Sequence, residues 1–200
     1  MASPPTSRAI TFNIPMALTW ARIAMIPLVV GIYYLPDAWI APHWKNVAAC
    51  WLFILAAVTD ALDGYLARRY GAVSKLGEFL DPVADKLMVS AALIVLISLG
   101  RVDSLVALII IGREIAVSAL REWMAKIGKS SNIAVNSMGK IKTIAQMTAI
   151  PMLLFHDRLF GVIDLHLIGT LLIYVAAVLT VYSMLIYLRL AWPHLNDRGR

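Results

Sequence analysis

The sequence predicts an all-α polytopic membrane protein, a single domain over residues 1–200 folded as a bundle of six transmembrane helices with both termini cytoplasmic. Three observations carry that prediction. Of the 200 residues, 60% are hydrophobic and only 15% charged, and the mean hydropathy is +0.77, more apolar surface than a soluble core absorbs. The apolar residues form six runs, at 14–35, 46–67, 82–100, 103–121, 139–156 and 162–190, parted by short loops bearing Pro, Gly, Asp or His. In a bilayer such runs must be helical, because no water is present to satisfy the backbone. Finally, Lys and Arg divide unevenly between the two sets of loops, which sets the orientation.

The first run carries Pro15, Trp20 and Arg22 and has no short apolar core ending in a small-residue cleavage site, so it reads as a retained helix rather than a secretory signal. The second holds the one cysteine, Cys50, which can form no internal disulfide. The third follows Asp81-Pro82, which taken alone is an ordinary helix start, with Asp as N-cap and Pro at the first helical position. The fourth contains Arg113 after an uncharged stretch, the fifth opens on Gly139-Lys-Ile-Lys142, and the sixth is apolar nearly throughout. With the N-terminus inside, the cytoplasmic regions hold thirteen basic residues, Arg68, Lys86, Arg121, Lys140 and Lys142 among them, and the outer loops hold three, Lys45, Arg101 and Arg158. The net charge of +6 is spread over these loops without a basic run or an aromatic-interleaved patch, which argues against nucleic acid and for anionic membrane lipids as partner. The four histidines lie in or beside outer loops or in the C-terminal tail, where no metal role is expected.

The uncharged stretches of the second, third and fifth helices are only about 14 to 16 residues long. At 1.5 Å per residue they cover roughly 21 to 24 Å of a hydrocarbon core of about 30 Å. Asp60, Asp63, Asp81, Asp85, Arg113, Lys140 and Lys142 then fall at one level within the cytoplasmic leaflet. Charges at that depth face a bundle interior or a wet cavity and are functional candidates. A polar cavity open to the cytoplasm is expected there, open also sideways to lipid.

The stretch Asp60-Ala-Leu-Asp63-Gly64-Tyr-Leu-Ala67-Arg68 is followed, eight residues on, by Gly77-Glu-Phe-Leu-Asp81-Pro-Val-Ala-Asp85. On helices the i, i+3 and i, i+4 spacings place each pair of carboxylates on one face, with Gly64 and Ala67 continuing the first. Four carboxylates about one cavity repel, by roughly 4 kcal/mol per pair at 4 Å and an effective dielectric of 20, so a cation is expected among them. Oxygen ligands unaccompanied by Cys or His point to Mg²⁺ or Mn²⁺, and two such ions roughly 3.5 to 4 Å apart suit a displacement at phosphorus. Gly64 and Ala67 give clearance for a ligand lying against the helix, and Arg68 a phosphate contact. A small cation transporter would also place carboxylates at this depth, but gives no reason for the Gly, Ala and Arg spacing.

The complete pattern, DxxDGxxAR, eight residues, GxxxDxxxD, resembles the signature of the CDP-alcohol phosphatidyltransferase family. The resemblance implies a six-helix membrane fold, usually dimeric, and a two-metal site from Asp60, Asp63, Asp81 and Asp85. It further implies transfer of a phosphatidyl group from a CDP-linked donor with release of CMP. It extends to Asn13-Ile-Pro-Met-Ala-Leu-Thr19 with Arg22, Asp81-Pro-Val-Ala-Asp-Lys86, Arg113-Glu-Ile, Ser118-Ala-Leu-Arg-Glu-Trp-Met124 and Gly139-Lys-Ile-Lys-Thr143. Over nearly the whole chain these look like the bacterial inner-membrane members that join CDP-diacylglycerol to sn-glycerol 3-phosphate. By that resemblance Asp85 is also the general base, Gly64, Ala67, Arg68 and Gly77 face the CDP donor, and Asn13 contacts cytidine or ribose, with a helix N-cap as its alternative.

A dianionic acceptor needs further cations, and Arg113, Arg121, Lys140 and Lys142 are the supply. For Arg113 a phosphate is preferred over an interhelical ion pair, because Glu114, though next in sequence, lies about 100° around the helix. Lys140 and Lys142 sit about 200° apart, so one faces the cavity and the other the headgroups, with Lys140 preferred. Arg121 reads equally as an inside anchor, and Arg22 either as a lipid-phosphate contact or as an ion-pair partner. Another acceptor, such as inositol phosphate, serine or phosphatidylglycerol, would use the same donor motif.

Overall fold

A computed structural model describes residues 14–70, 75–127, 137–159 and 161–195. Within them the side chains of residues 14, 15, 63–70, 75, 78, 137–140, 159 and 193–195 lie outside the description. Among the described residues, six long helices fall on the six apolar runs: α1 (Ile14–Gly31), α2 (Pro42–Tyr70), α3 (Lys75–Ser98), α4 (Ser104–Lys126), α5 (Ser137–Phe155) and α6 (Leu165–Leu195). A short 3₁₀ turn, Ile32–Tyr34, extends α1. The all-α expectation misses one detail, a two-residue antiparallel pairing of Arg158–Leu159 (β1) with Ile163–Asp164 (β2) between α5 and α6.

Local chemistry explains the boundaries. The α2 helix starts at Pro42, whose missing N–H falls where no intrahelical acceptor exists. Gly100, with φ of +66°, ends α3: its N–H bonds Ile97 O at 2.9 Å and the next N–H, of Arg101, bonds Leu96 O at 2.9 Å, the reversed pair of bonds that a left-handed residue makes possible. Asp103 then caps α4, its carboxylate accepting from Leu105 N at 2.8 Å and Val106 N at 3.4 Å. One boundary departs from the sequence reading. Pro82 lies inside α3 rather than at its start, because the helix begins at Lys75. The charges of Lys75, Glu78 and Asp81 hid that first stretch from a search for apolar runs, and the i, i+4 relation of Asp81 and Asp85 is kept.

All six helices contribute to one core, in which Phe53, Leu93, Leu96, Ile110, Ile150, Leu153, Leu154 and Ile173 are buried. Helix α1 packs on α2 and α3, α6 on α5 and α4, and α2 on α5. The outer faces are apolar too. Leu167, Leu171, Tyr174, Val178, Tyr182 and Leu185 run exposed along one side of α6, while Ile173, Ala176, Ala177 and Thr180 are buried on the other. A helix apolar all round belongs in lipid. Among the described residues, three helices are by length and composition apolar enough to cross a membrane, over Met16–Tyr34, Pro42–Leu62 and Leu165–Trp192, and Ile141–Phe155 is a shorter apolar helix. Arg22, Lys45, Arg113 and Lys142, by contrast, are buried.

The α5–α6 contact depends on Gly169. A Cβ there would meet Leu153 Cγ at 2.9 Å and Met152 Cβ at 3.2 Å, whereas one on Gly112 of α4 would meet nothing within 4 Å. Alanine raises helix propensity at both positions, so the two variants separate packing from propensity. Gly169→Ala is expected to lower stability by about 1 kcal/mol net of that gain, and Gly112→Ala to leave it equal or higher. Thermal unfolding of both variants in detergent checks this.

Candidate active site

The up-and-down course of the chain brings the start of α1, the end of α2, the start of α3, the second half of α4, the start of α5 and the end of α6 to one end of the bundle. Helix α1 organises the carboxylates there. Arg22, only 1% exposed, forms an ion pair with Asp60 of α2, Nη1 to Oδ1 at 2.6 Å. One turn earlier, the Thr19 hydroxyl donates to Asp81 Oδ1 of α3 at 2.6 Å. Of the two sequence readings of Arg22, the ion-pair partner is therefore the one observed. Asp85, one turn after Asp81, is half-buried and lies within electrostatic range of Asp60, Arg22, Glu114 and Lys86. Three of the four predicted aspartates are thus gathered around one end of α1.

The remaining donor-side residues are placed less fully. Asp63, Gly64, Ala67 and Arg68 lie on the described backbone of α2, but their side chains lie outside the described residues, as does Asn13 altogether. Gly77, on α3, is buried. Among the described residues no three His, Cys, Asp or Glu side chains form a ready metal-binding group, and the side chain of Asp63 is not among them. The donor set still fits a hard divalent cation. Asp60, Asp81 and Asp85 offer only carboxylate oxygen, and Arg22 and Thr19 hold two of these groups from the same helix.

Across from them lies a basic cluster built by α4, α5 and α6. Glu114 Oε1 accepts from Arg113 Nη1 at 2.7 Å and from Lys142 Nζ at 2.8 Å. Arg113 is 7% exposed and Lys142 3%. Arg113 Nη2 also reaches Ser183 Oγ at 3.4 Å, while its buried Nε has no hydrogen-bond partner among the described residues. The first of these contacts departs from the sequence reading. Glu114 does pair with Arg113 despite the 100° between their positions, because the long guanidinium arm folds back across the helix face to meet it. Of the two lysines, Lys142 is seen to face inward, and the side chain of Lys140 lies outside the described residues. The cluster carries two cations against one carboxylate, so one positive charge and a buried N–H donor are left for an anion. Arg121, exposed, is held by α6: its Nη2 donates to Tyr187 Oη at 2.7 Å and its guanidinium lies 5.0 Å from that ring's centroid.

Sequence reasoning missed Glu114, Ser183 and Tyr187 as members of this end of the bundle. For Glu114 a signal existed, since an acid in the middle of an apolar helix needs a cationic partner wherever one is in reach. Ser183 and Tyr187, on the most apolar helix, gave none.

The sequence profile of the CDP-alcohol phosphatidyltransferases matches residues 12–182. The curated CDP-diacylglycerol--glycerol-3-phosphate 3-phosphatidyltransferase of Escherichia coli strain K12 is 44% identical over 189 residues, covering 94% of this chain and 99% of its own. The protein of the same name from Shigella flexneri serotype 5b is 44% identical over the same shares.

Proposed function

This chain belongs to the CDP-alcohol phosphatidyltransferase family, and on that premise we propose that it transfers the phosphatidyl group of CDP-diacylglycerol to sn-glycerol 3-phosphate, giving phosphatidylglycerol phosphate and CMP. The observation that carries this reading is likeness across nearly the whole chain to curated relatives of that printed activity. The reaction is a step of anionic phospholipid synthesis.

In this reading Asp60, Asp63, Asp81 and Asp85 would hold two Mg²⁺ or Mn²⁺ ions, which when bound neutralise phosphate charge and lower the pKa of a nearby hydroxyl. Arg22 and Thr19 restrain the Asp60 and Asp81 carboxylates by an ion pair and a hydrogen bond. Asp85 takes the proton of the glycerol 1-hydroxyl. The freed oxygen forms a bond to the β-phosphorus, the one bonded to diacylglycerol, and the bond from that phosphorus to the CMP oxygen breaks. Gly64, Ala67, Arg68, Gly77 and Asn13 serve the CDP donor. Arg113 and Lys142, tied together by Glu114, hold the acceptor phosphate, with Arg121 and Lys140 at the margin of the same basic region. Two cations sharing one carboxylate oxygen favour a phosphorylated acceptor.

The same reading takes residues 1–200 as one membrane domain crossing the bacterial inner membrane six times, with both termini and the site on the cytoplasmic side, and assembled as a homodimer. The short apolar lengths of α3 and α5 fit charged cytoplasmic ends sunk into the leaflet.

Acceptor choice is the test. Purified protein in detergent with Mg²⁺ or Mn²⁺ and CDP-diacylglycerol is given radiolabelled acceptors one at a time. Lipid-soluble label is expected with glycerol 3-phosphate alone. Label entering from serine, inositol phosphate or phosphatidylglycerol instead would assign a different acceptor.

A further inference from the structure

The other end of the bundle carries a second polar assembly with no part in the chemistry above. A cavity of about 440 Å³ opens there between the end of α1, the start of α2 and the end of α3. Its polar wall is Lys45, Asn46, Arg101, Asp37 and Ser98, with Tyr33 beside them. Its apolar wall includes Ile94 and Val95, and Ile94 is 58% exposed on the outer face of α3.

The polar wall is rigid and has donors to spare. Lys45, 4% exposed, donates to Leu35 O at 2.5 Å and to Asp37 Oδ1 at 2.6 Å, which leaves one of its three N–H groups. Arg101 is anchored by Nη1 bonds to Leu153 O at 3.1 Å and Leu154 O at 2.8 Å, closing the end of α5. Asn46 Oδ1 accepts from Arg101 Nη2 at 2.9 Å and from Tyr33 Oη at 3.3 Å. The two N–H groups of the Asn46 amide therefore remain, with no partner among the described residues. Lys45 is matched by Asp37, and Asp157, within electrostatic range of Arg101, is engaged by His43. A site with surplus N–H donors on buried, anchored side chains takes an anionic oxygen group. Its volume falls in the range of ligand pockets rather than of a single small ion, and its apolar wall runs out to the lipid-facing surface.

We propose that this cavity binds one anionic phospholipid, its phosphodiester against Lys45, Asn46 and Arg101 and its glyceryl and upper acyl region along Ile94 and Val95. The proposal rests on the membrane reading above. The three helices that line the cavity also carry Arg22, Asp60, Asp81 and Asp85, so the bound lipid braces the outer ends of the helices whose inner ends form the candidate active site.

Native mass spectrometry of the purified protein tests it, because bound lipid is counted by mass and no turnover is needed. The detergent-solubilised chain is titrated with phosphatidylglycerol or phosphatidylcholine, with and without inorganic phosphate. Two variants are compared with the parent: Ser98→Phe, which fills the cavity from a lining position and keeps every cation, and Lys45→Met, which removes one charge and keeps the stem. One phosphatidylglycerol per chain is expected to be held in preference to phosphatidylcholine. Both variants should weaken that binding roughly tenfold or more, the effect of one charge-assisted bond or of lost space. Should Lys45→Met fail to fold, Ser98→Phe alone decides. Parent-like binding in Ser98→Phe, equal retention of phosphatidylcholine, or displacement of the lipid by inorganic phosphate would each overturn the proposal. Acceptor-dependent turnover in the same preparation tells a failure here from a failure of the functional reading.

Discussion

Asp85→Asn is expected to lower turnover by roughly 10²- to 10⁴-fold, the usual contribution of a positioned general base, with donor binding retained. The substitution keeps the size of the side chain and its place one turn beyond Asp81 on α3. What it removes is the ability to accept a proton. A free aspartate is a weak base, with a pKa near 4, so in the proposed reaction Asp85 would need an acceptor hydroxyl made more acidic by the metal ions these aspartates would hold. Two measurements separate these parts. Chelation of the parent enzyme should abolish label transfer, and added Mg²⁺ or Mn²⁺ should restore it, whereas no metal concentration should restore Asp85→Asn. Retention of CDP-diacylglycerol by the variant, read as co-purifying or titrated lipid, checks that the site is still formed. A variant with near-parental turnover would remove Asp85 from the role of base.

Lys142→Met is the second large effect. Lys142 is 3% exposed and shares Glu114 Oε1 with Arg113, so the cluster loses one of two cations while Arg113 keeps its partner. A charge-assisted hydrogen bond is worth about 1.5 to 3 kcal/mol, which corresponds to a rise of roughly 10- to 150-fold in the apparent KM for glycerol 3-phosphate. The KM for CDP-diacylglycerol should barely move. Methionine fills the space of the lysine stem without leaving an unpaired polar atom, so stability is expected to hold. Glu114→Gln makes the useful contrast: it leaves two buried cations uncompensated, a change that costs about 3 to 5 kcal/mol for a buried pair, and its main loss should appear in thermal unfolding. An unchanged acceptor KM in Lys142→Met would move the phosphate site away from α5.

Much of the fold was legible in the residues. Apolar runs long enough to need a bilayer, broken by Gly100 and Asp103 or by the stretch before Lys45, marked where each helix falls, because backbone satisfaction in lipid leaves few alternatives. The start of α3 was not legible, since Lys75, Glu78 and Asp81 interrupt the apolar pattern over its first two turns. The two strand residues on each side of Gly161 left no pattern long enough to see.

The aspartate spacing and the type of chemistry it suits were determined by the sequence alone, because i, i+3 and i, i+4 geometry belongs to a single helix whatever surrounds it. The partners of those charges were decided only by tertiary structure. Thr19 meets Asp81 across 62 positions, Lys142 meets Glu114 across 28, and Arg101 closes α5 from 52 and 53 positions away. Each of these depends on how one helix is rotated against another, which is set by close packing such as that of α5 on Gly169. In an apolar interior a charge goes to whichever opposite charge or carbonyl that packing brings within reach, since leaving it unpaired costs more than folding a long side chain back.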